Sequence, residues 1–276
     1  MKKIFSCGAL HHGGVFPAVV LGLCAGSAVL VTAKGAVAAG IMAAVSVILA
    51  GLLGGLLKKL IPEGAEISFR AVLAAFFAIA MTMLTHAFMI ESYFTVGAFI
   101  PAIMAVAAVL GLWGRPEGEP ALMGSVKAGI FIAVASAVVG ALCELLSAGA
   151  VFGIGVLPES VPLPAIFSNW AGVMIIIALG AAIFYKASVP EDGGILFLLA
   201  FCFAVMGTAA VGGDLVAGAV KTVIGIVLAF VLYALVTPLK VKFTATEVPK
   251  AFQGAPVAAL GAAFAAVAME GFSCLF

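Results

Sequence analysis

Nine long apolar segments, separated by short polar or proline-containing stretches, dominate the sequence of 276 residues. Each is close to the roughly 20 apolar residues that a helix needs to cross a bilayer. The pattern therefore predicts an all-α integral membrane protein, a polytopic bundle of about nine transmembrane helices forming one membrane domain. The first, sixth and seventh segments are the shortest, which indicates possible broken helices of inverted-repeat folds. The predicted segments are 15–32, 36–57, 70–90, 94–113, 126–148, 169–186, 194–212, 216–236 and 255–274.

Composition supports a lipid environment, because 65% of the residues are hydrophobic and only 9% are charged. Soluble domains contain about 25% charged residues, so a soluble protein could not bury this much apolar surface. The net charge of +1 gives no indication of a nucleic-acid partner. The longest predicted loop, about 149–168, leaves no room for a nucleotide or flavin domain of ordinary size.

Basic residues orient the predicted bundle. With the N-terminus in the cytoplasm, eleven of the 13 Lys and Arg residues fall on the cytoplasmic side. Only Lys34 and Lys221 fall outside. This positive-inside bias predicts a cytoplasmic N-terminus, and an odd number of spans then places the C-terminus outside.

Two cysteines are the first candidates for chemistry. Cys24 lies near the middle of the first segment and Cys202 near the middle of the seventh. Both segments start on the cytoplasmic side, so the two thiols could reach similar depth. Thiolates hold iron–sulfur centres, which commonly need four ligands. The alternative is that both are buried structural cysteines, since free cysteine packs as a small hydrophobic residue.

Ionisable residues inside spans are the second group of candidates, because a charge in the bilayer is costly and suggests function. Glu144 and Glu270 lie near the outer ends of the fifth and ninth segments, and His86 lies near the outer end of the third. Glu144 and Glu270 are therefore possible ion-coupling residues. The alternative is that all three reach the outer interface and are solvated there.

Several motifs carry a resemblance to one family. They are VLGLCAGSAV from Val20, LLKKLIP from Leu56, GAFIPAIMAVAAVLG from Gly97, CELLSAGAVFG from Cys143 and EVPKAFQGAPVAALGAAFAAVAMEGFS from Glu247. The chain resembles the Rnf–Nqr family, the paired six-helix membrane subunits of Rnf and sodium-translocating NADH:quinone oxidoreductase complexes. Residues 1–188 are similar to one six-helix subunit, and residues 189–276 are similar to the last three helices of its pair. This is an unusual 6 + 3 arrangement.

The resemblance implies a site. In the family, each paired subunit carries one cysteine in its first helix and one in its fourth, and the pair holds an iron–sulfur centre between inverted repeats. Cys24 and Cys202 match two of these cofactor ligands. The fourth-helix cysteine of the first subunit type falls on Ala107 here, and the helix with the remaining ligand is missing. One chain then supplies two of four ligands, so a homodimer or another subunit completes the site, or the site is lost.

The resemblance also implies a function. We expect a multi-pass subunit of the bacterial inner (cytoplasmic) membrane that relays electrons across the bilayer through a cysteine-ligated iron–sulfur cluster. It would be a non-catalytic or electron-relay subunit of an ion-translocating oxidoreductase complex, with membrane lipid and redox subunits or a second copy as partners. The alternatives are a secondary transporter on the same scaffold, with Glu144 or Glu270 as coupling carboxylate, and a scaffold subunit without cofactor.

Overall fold

The computed structural model describes residues 15–61, 65–89, 94–97, 99–112, 121–158, 165–184, 200, 202–208, 223 and 227. Most of these residues are helical, as the sequence predicts for an all-α membrane protein. The principal helices are α1 (Val15–Ala25), α2 (Ala33–Leu56), α3 (Glu66–Phe88), α4 (Ile100–Gly111), α5 (Ala121–Ala148) and α6 (Trp170–Phe184). Two short 3₁₀ helices, Lys58–Leu60 and Ala165–Ser168, and one hairpin of β1 (Ala150–Val151) and β2 (Ile154–Gly155) complete the described elements.

Three of the described helices, α2, α3 and α5, are long and apolar enough to cross a membrane. Helices α1, α4 and α6 are apolar but shorter. Together the six helices correspond to the first six predicted segments, and the chain is a multi-pass membrane protein. The last three predicted segments lie outside the described residues, apart from positions 200, 202–208, 223 and 227. The count of about nine spans therefore stays a prediction.

Helices α1 and α4 are shorter than the predicted segments 15–32 and 94–113, of which the first was expected as a possible broken helix and the second was not. They have 11 and 12 residues, which at 1.5 Å per residue gives about 17–18 Å, well short of the roughly 30 Å hydrocarbon core. After α1 the chain forms hydrogen-bonded turns through Val31 before α2 begins. Before α4 the chain bends at Gly97, whose φ is +80°. Both predicted spans are therefore broken.

The six helices form two inverted halves, α1–α3 and α4–α6. The sequence VAAGIMAAVSVILAGLL at positions 37–53 of α2 recurs as VKAGIFIAVASAVVGAL at positions 126–142 of α5. Packing follows the same relation: α1 contacts α4, α2 contacts α5, and each of α1 and α4 also contacts the long helix of the other half. Inverted repeats of this kind build many membrane folds.

The α1–α4 contact is antiparallel and made by small residues. A Cβ atom added at Gly22 would lie 3.5 Å from the Ala108 side chain, in ordinary contact. One turn further along α1, a Cβ atom at Gly26 would lie only 2.6 Å from the Met104 sulfur. Small residues let helix backbones approach closely, and such packing drives helix association in lipid. The core of the bundle therefore includes the last turn of α1.

The α2–α5 contact is the most extensive between described helices. Gly40 faces Ser136 and Gly140 faces Ala36, so closely that a Cβ atom at either glycine would collide with its neighbour. The pairing again makes the two helices antiparallel. It brings the C-terminal end of α5 to the N-terminal end of α2, which is where the turns after α1 end.

The hairpin after α5 contains a strained turn. Phe152 and Gly153 have φ values of 55° and 77°, as a two-residue type I′ turn requires. This backbone conformation is ordinary for glycine but costs roughly 1–2 kcal/mol for a residue with a side chain. Phe152 is 46% exposed, so burial of its ring offsets only part of that cost. A contact elsewhere must hold the turn, and Glu144 supplies it.

Candidate functional site

Cys24 lies at the C-terminal end of α1, in its last turn. Its side chain is 0% exposed, and it is a free cysteine. The residues that follow leave the helix: the Gly26 N–H donates to the carbonyls of Gly22 and Leu23. Cys24 therefore lies where a helix that is too short to cross the bilayer ends inside the bundle core.

Ser27 follows Cys24 by three residues, and its side chain is also 0% exposed. Its Oγ has no hydrogen-bond partner among the residues that the structure describes. A buried hydroxyl without a partner costs about 1–3 kcal/mol, so buried polar groups are nearly always satisfied. The sequence motif VLGLCAGSAV contains both residues, but the sequence analysis did not single out Ser27. A hydroxyl beside a candidate ligand was the signal that could have identified it.

Cys202 lies in the described helical residues 202–208 and is half-buried and free. Gly207, in the same stretch, packs directly against the backbone carbonyl of Ala25, and a Cβ atom there would collide with that oxygen. Ala25 is the neighbour of Cys24. Five residues of helix rise about 7.5 Å, so Cys202 lies roughly that far along its helix from the contact with α1. The structure thus brings the stretch that carries Cys202 to the end of α1 that carries Cys24.

Glu144 bridges three elements near the end of α5. Its Oε2 accepts a 2.7 Å hydrogen bond from the backbone N–H of Ala33, the first residue of α2. Its Oε1 accepts a second bond, also 2.7 Å, from the backbone N–H of Gly153 in the hairpin. The first N–H groups of a helix have no partner within the helix, and a carboxylate there is also favoured by the helix dipole. Glu144 therefore caps α2 and holds the strained turn.

This geometry predicts a structural effect of Glu144. We expect Glu144→Ala to lower the free energy of unfolding by about 2 kcal/mol, because it leaves the amide of Ala33, a fully buried residue, without its charged acceptor. Glu144→Gln keeps one acceptor oxygen for two donors and should fall between the wild type and Glu144→Ala. Thermal unfolding of the detergent-purified protein, followed by circular dichroism, measures the difference.

Ser147 offers the matched control, because it lies one turn after Glu144 and its hydroxyl makes only a 3.4 Å bond to the Glu144 carbonyl. Ser147→Ala should leave the unfolding temperature nearly unchanged. An unfolding temperature of Glu144→Ala equal to that of Ser147→Ala would contradict the capping role. With that result, ion coupling would be the remaining predicted role of Glu144.

A charged cluster lies near the other end of α2. Arg70 in α3 is only 7% exposed, and its Nη2 lies 3.2 Å from Glu66 Oε2. The Lys58 amine lies 3.8 Å from the other oxygen of Glu66. Gly54 makes room for the arginine stem, because a Cβ atom there would lie 2.7 Å from Arg70 Cγ. Sequence reasoning used Arg70 only to orient the bundle and did not predict its burial.

A family model described as "Rnf-Nqr subunit, membrane protein" matches residues 1–189. The matched part covers all six helices and most of the chain. This chain belongs to the Rnf-Nqr family. No curated protein and no solved structure matches the sequence significantly. The family resemblance predicted from the motifs is therefore confirmed, whereas the 6 + 3 arrangement stays a prediction.

The described residues of this Rnf-Nqr subunit include Cys24 and Cys202, the half-site of ligands that the family resemblance implies. Cys24 provides a buried thiol, the stretch with Cys202 packs beside it, and Ser27 adds an unsatisfied hydroxyl at the same helix end. Within the described ranges, no three His, Cys, Asp or Glu side chains come together as a metal site. On α4, Ala107 and Ala108 are both fully buried. Described residues of one chain thus supply fewer thiols than such a centre commonly needs.

Glu270 and His86 are the other ionisable positions that the sequence of this Rnf-Nqr subunit singled out. Glu270 lies outside the described residues, so its role as an ion-coupling residue stays a prediction. His86 lies in the last turn of α3, at the opposite end of that helix from Glu66 of the charged cluster.

Proposed function

We propose that this chain is a membrane subunit of an ion-translocating electron-transport complex of the bacterial cytoplasmic membrane. It holds part of an iron–sulfur centre through Cys24 and Cys202, and a second chain, either another redox subunit or a second copy, supplies the remaining ligands. The observation that carries the proposal is the environment of Cys24: a fully buried thiol at the end of a helix that stops inside the core. Membership of the Rnf-Nqr family supports the same complex.

The chain's own residues have three tasks in this proposal. Cys24 and Cys202 bind the centre as thiolates. The apolar side chains around α1 exclude water, and burial of this kind is one of the factors that set a cluster's reduction potential. Gly22 and Gly26 keep α1 and α4 close, so that the helix end stays fixed. The centre itself supplies the uptake and release of single electrons.

Glu144 gives no specific support to the alternative of a secondary transporter. Both of its oxygens already accept backbone hydrogen bonds that connect α5, α2 and the hairpin. A coupling carboxylate needs to exchange its partners for an ion during transport. The described contacts support a structural role for Glu144, and the electron-transfer subunit is the better-supported function.

Iron analysis of the intact protein tests the proposal. The full chain is purified in mild detergent from membranes with the subunits that accompany it, and iron and acid-labile sulfide are measured per chain. We expect both elements, together with a visible absorption band that bleaches on addition of dithionite. Native mass spectrometry of the same sample shows whether a second copy or another subunit is present. An intact complex without iron would contradict the proposal.

A further inference from the structure

The hairpin after α5 exposes apolar side chains although it lies outside the helices. Residues 149–158 contain no side chain that is charged or can form a hydrogen bond. Ile154 and Val156 are 71% and 60% exposed, and Phe152 and Leu157 are exposed as well. An exposed apolar patch marks a surface that contacts a partner or a membrane. The hairpin therefore presents a contact surface.

Hydrogen bonds hold the hairpin in one shape. The N–H groups of Val156 and Leu157 both donate to the Gly149 carbonyl, at 2.8 and 2.9 Å, and close the base of the hairpin. At the tip, the Gly153 N–H donates to Glu144 Oε1 at 2.7 Å. The exposed apolar side chains thus belong to an element that is fixed at both ends.

Glu144 sets the depth of the hairpin tip. It lies one turn before the end of α5, and its other oxygen accepts the bond from Ala33 at the start of α2. The tip is therefore folded back to the level of these helix ends. Helix α2 is long enough to cross a membrane. Its 24 residues give a length of about 36 Å, between the roughly 30 Å of the hydrocarbon core and the roughly 40–45 Å of the whole bilayer. The ends of α2, and the hairpin tip with them, then fall in the interfacial layer.

Lipid fits this surface better than a protein partner does. Protein interfaces surround an apolar centre with a polar rim, and residues 149–158 offer no polar side chain to such a rim. Phe88 and Met89, at the end of α3, are also exposed. Because Arg70 near the start of α3 packs on Gly54 near the end of α2, α3 ends where α2 begins. Exposed apolar side chains thus recur on a second element at this end of the bundle.

The strained backbone of Phe152 agrees with a lipid contact. Its φ of 55° costs free energy for any residue with a side chain. A ring left in water would add to that cost, whereas a ring that enters an apolar layer removes apolar surface from water and offsets it. A backbone in a sparsely populated conformation is a reason to look for a function at that position.

We propose that the hairpin 149–157 lies in the interfacial layer of the bilayer, with Phe152, Ile154 and Val156 in contact with lipid acyl chains and Glu144 holding the tip at that depth. The interfacial layer also suits the backbone, because irregular segments that face lipid do not occur within the hydrocarbon core, where water cannot reach their N–H and carbonyl groups. This lipid contact does not depend on the proposed iron–sulfur centre.

Fluorescence quenching by brominated lipid tests the proposal. The complex with Ile154→Trp is reconstituted into vesicles of phosphatidylcholine brominated either near the headgroup end of the acyl chain or near its methyl end. The emission of the wild-type complex, with its own tryptophans, is subtracted. We expect the added emission to be lost with the shallow bromines and largely retained with the deep ones. Val156→Trp repeats the test at a second exposed position, and thermal unfolding shows that each variant is folded.

Phe76→Trp is the matched control, because Phe76 is equally exposed but lies near the middle of the spanning helix α3. Its emission should show the opposite order, with stronger quenching by the deep bromines. Two results would overturn the lipid contact. Quenching of Ile154→Trp by iodide in the aqueous phase, and not by bromine, would place the hairpin in water. Protection from both quenchers would show that another protein surface covers it.

Glu144→Ala in the Ile154→Trp background tests the role of the carboxylate. Without the bond to the Gly153 N–H, the tip should leave its fixed depth, so the quenching by shallow bromines should fall. Ser147→Ala, one turn away and without a bond to the hairpin, should leave the quenching unchanged. Equal quenching in both double variants would show that Glu144 does not hold the hairpin at its depth.

Discussion

Gly111→Ala is expected to destabilise the bundle by about 3 kcal/mol, because the added methyl group has no room between α4 and α1. The new Cβ atom would lie 2.5 Å from Ala18 Cα and 2.6 Å from its backbone nitrogen. Overpacking a core costs about 1–3 kcal/mol, and the upper end applies here because the neighbours are backbone atoms of α1. Thermal unfolding of the purified protein measures the loss.

Gly55 provides the control for that prediction. It also lies within a helix, α2, but a Cβ atom there would meet nothing within 4 Å. Gly55→Ala should stabilise the protein by about 0.5–1 kcal/mol, because alanine loses less backbone freedom in a helix. The same chemical change is thus expected to lower the stability at Gly111 and to raise it at Gly55. Equal unfolding temperatures for the two would mean that α1 and α4 do not cross as closely as described.

The class of the protein and the positions of its first six helices could be predicted from hydrophobicity alone. A segment that crosses lipid forms a long helix with mostly apolar side chains, so it is visible in the sequence as a long apolar run. The break in the first segment was indicated only by the short length of that segment, and the break before α4 was not predicted. The turns after Ala25 and the bend at Gly97 fall in segments that are still apolar, so the hydropathy pattern continues through them. Packing of α1 against α4 decides where those helices end, and a local pattern does not contain that packing.

The candidate site, like the fold, could be predicted from the sequence only in part. Cys24 could be selected from sequence, because a thiol at the centre of an apolar segment and the family motifs both pointed to it. The role of Glu144 could not, because its contact with Ala33 joins residues that are 111 positions apart. Sequence reasoning identified Glu144 as a possible ion-coupling residue, which stays a prediction, and the structure adds that its carboxylate caps α2. The unsatisfied hydroxyl of Ser27 is likewise a property of the folded core alone.

Cys24→Ser and Cys202→Ser are expected to remove nearly all iron and the visible absorption from the purified complex. A serine oxygen is a harder and more basic ligand than a thiolate, which soft metal–sulfur centres select. Cys143→Ser is the matched control, since Cys143 is also fully buried and free but lies beside Glu144 on α5; its iron content should match the wild type. Loss of iron in Cys24→Ser but not in Cys202→Ser would assign the centre to α1 and exclude Cys202 as a ligand. If both variants keep the iron content of the wild type, neither cysteine binds an iron–sulfur centre, whatever the family membership of the chain.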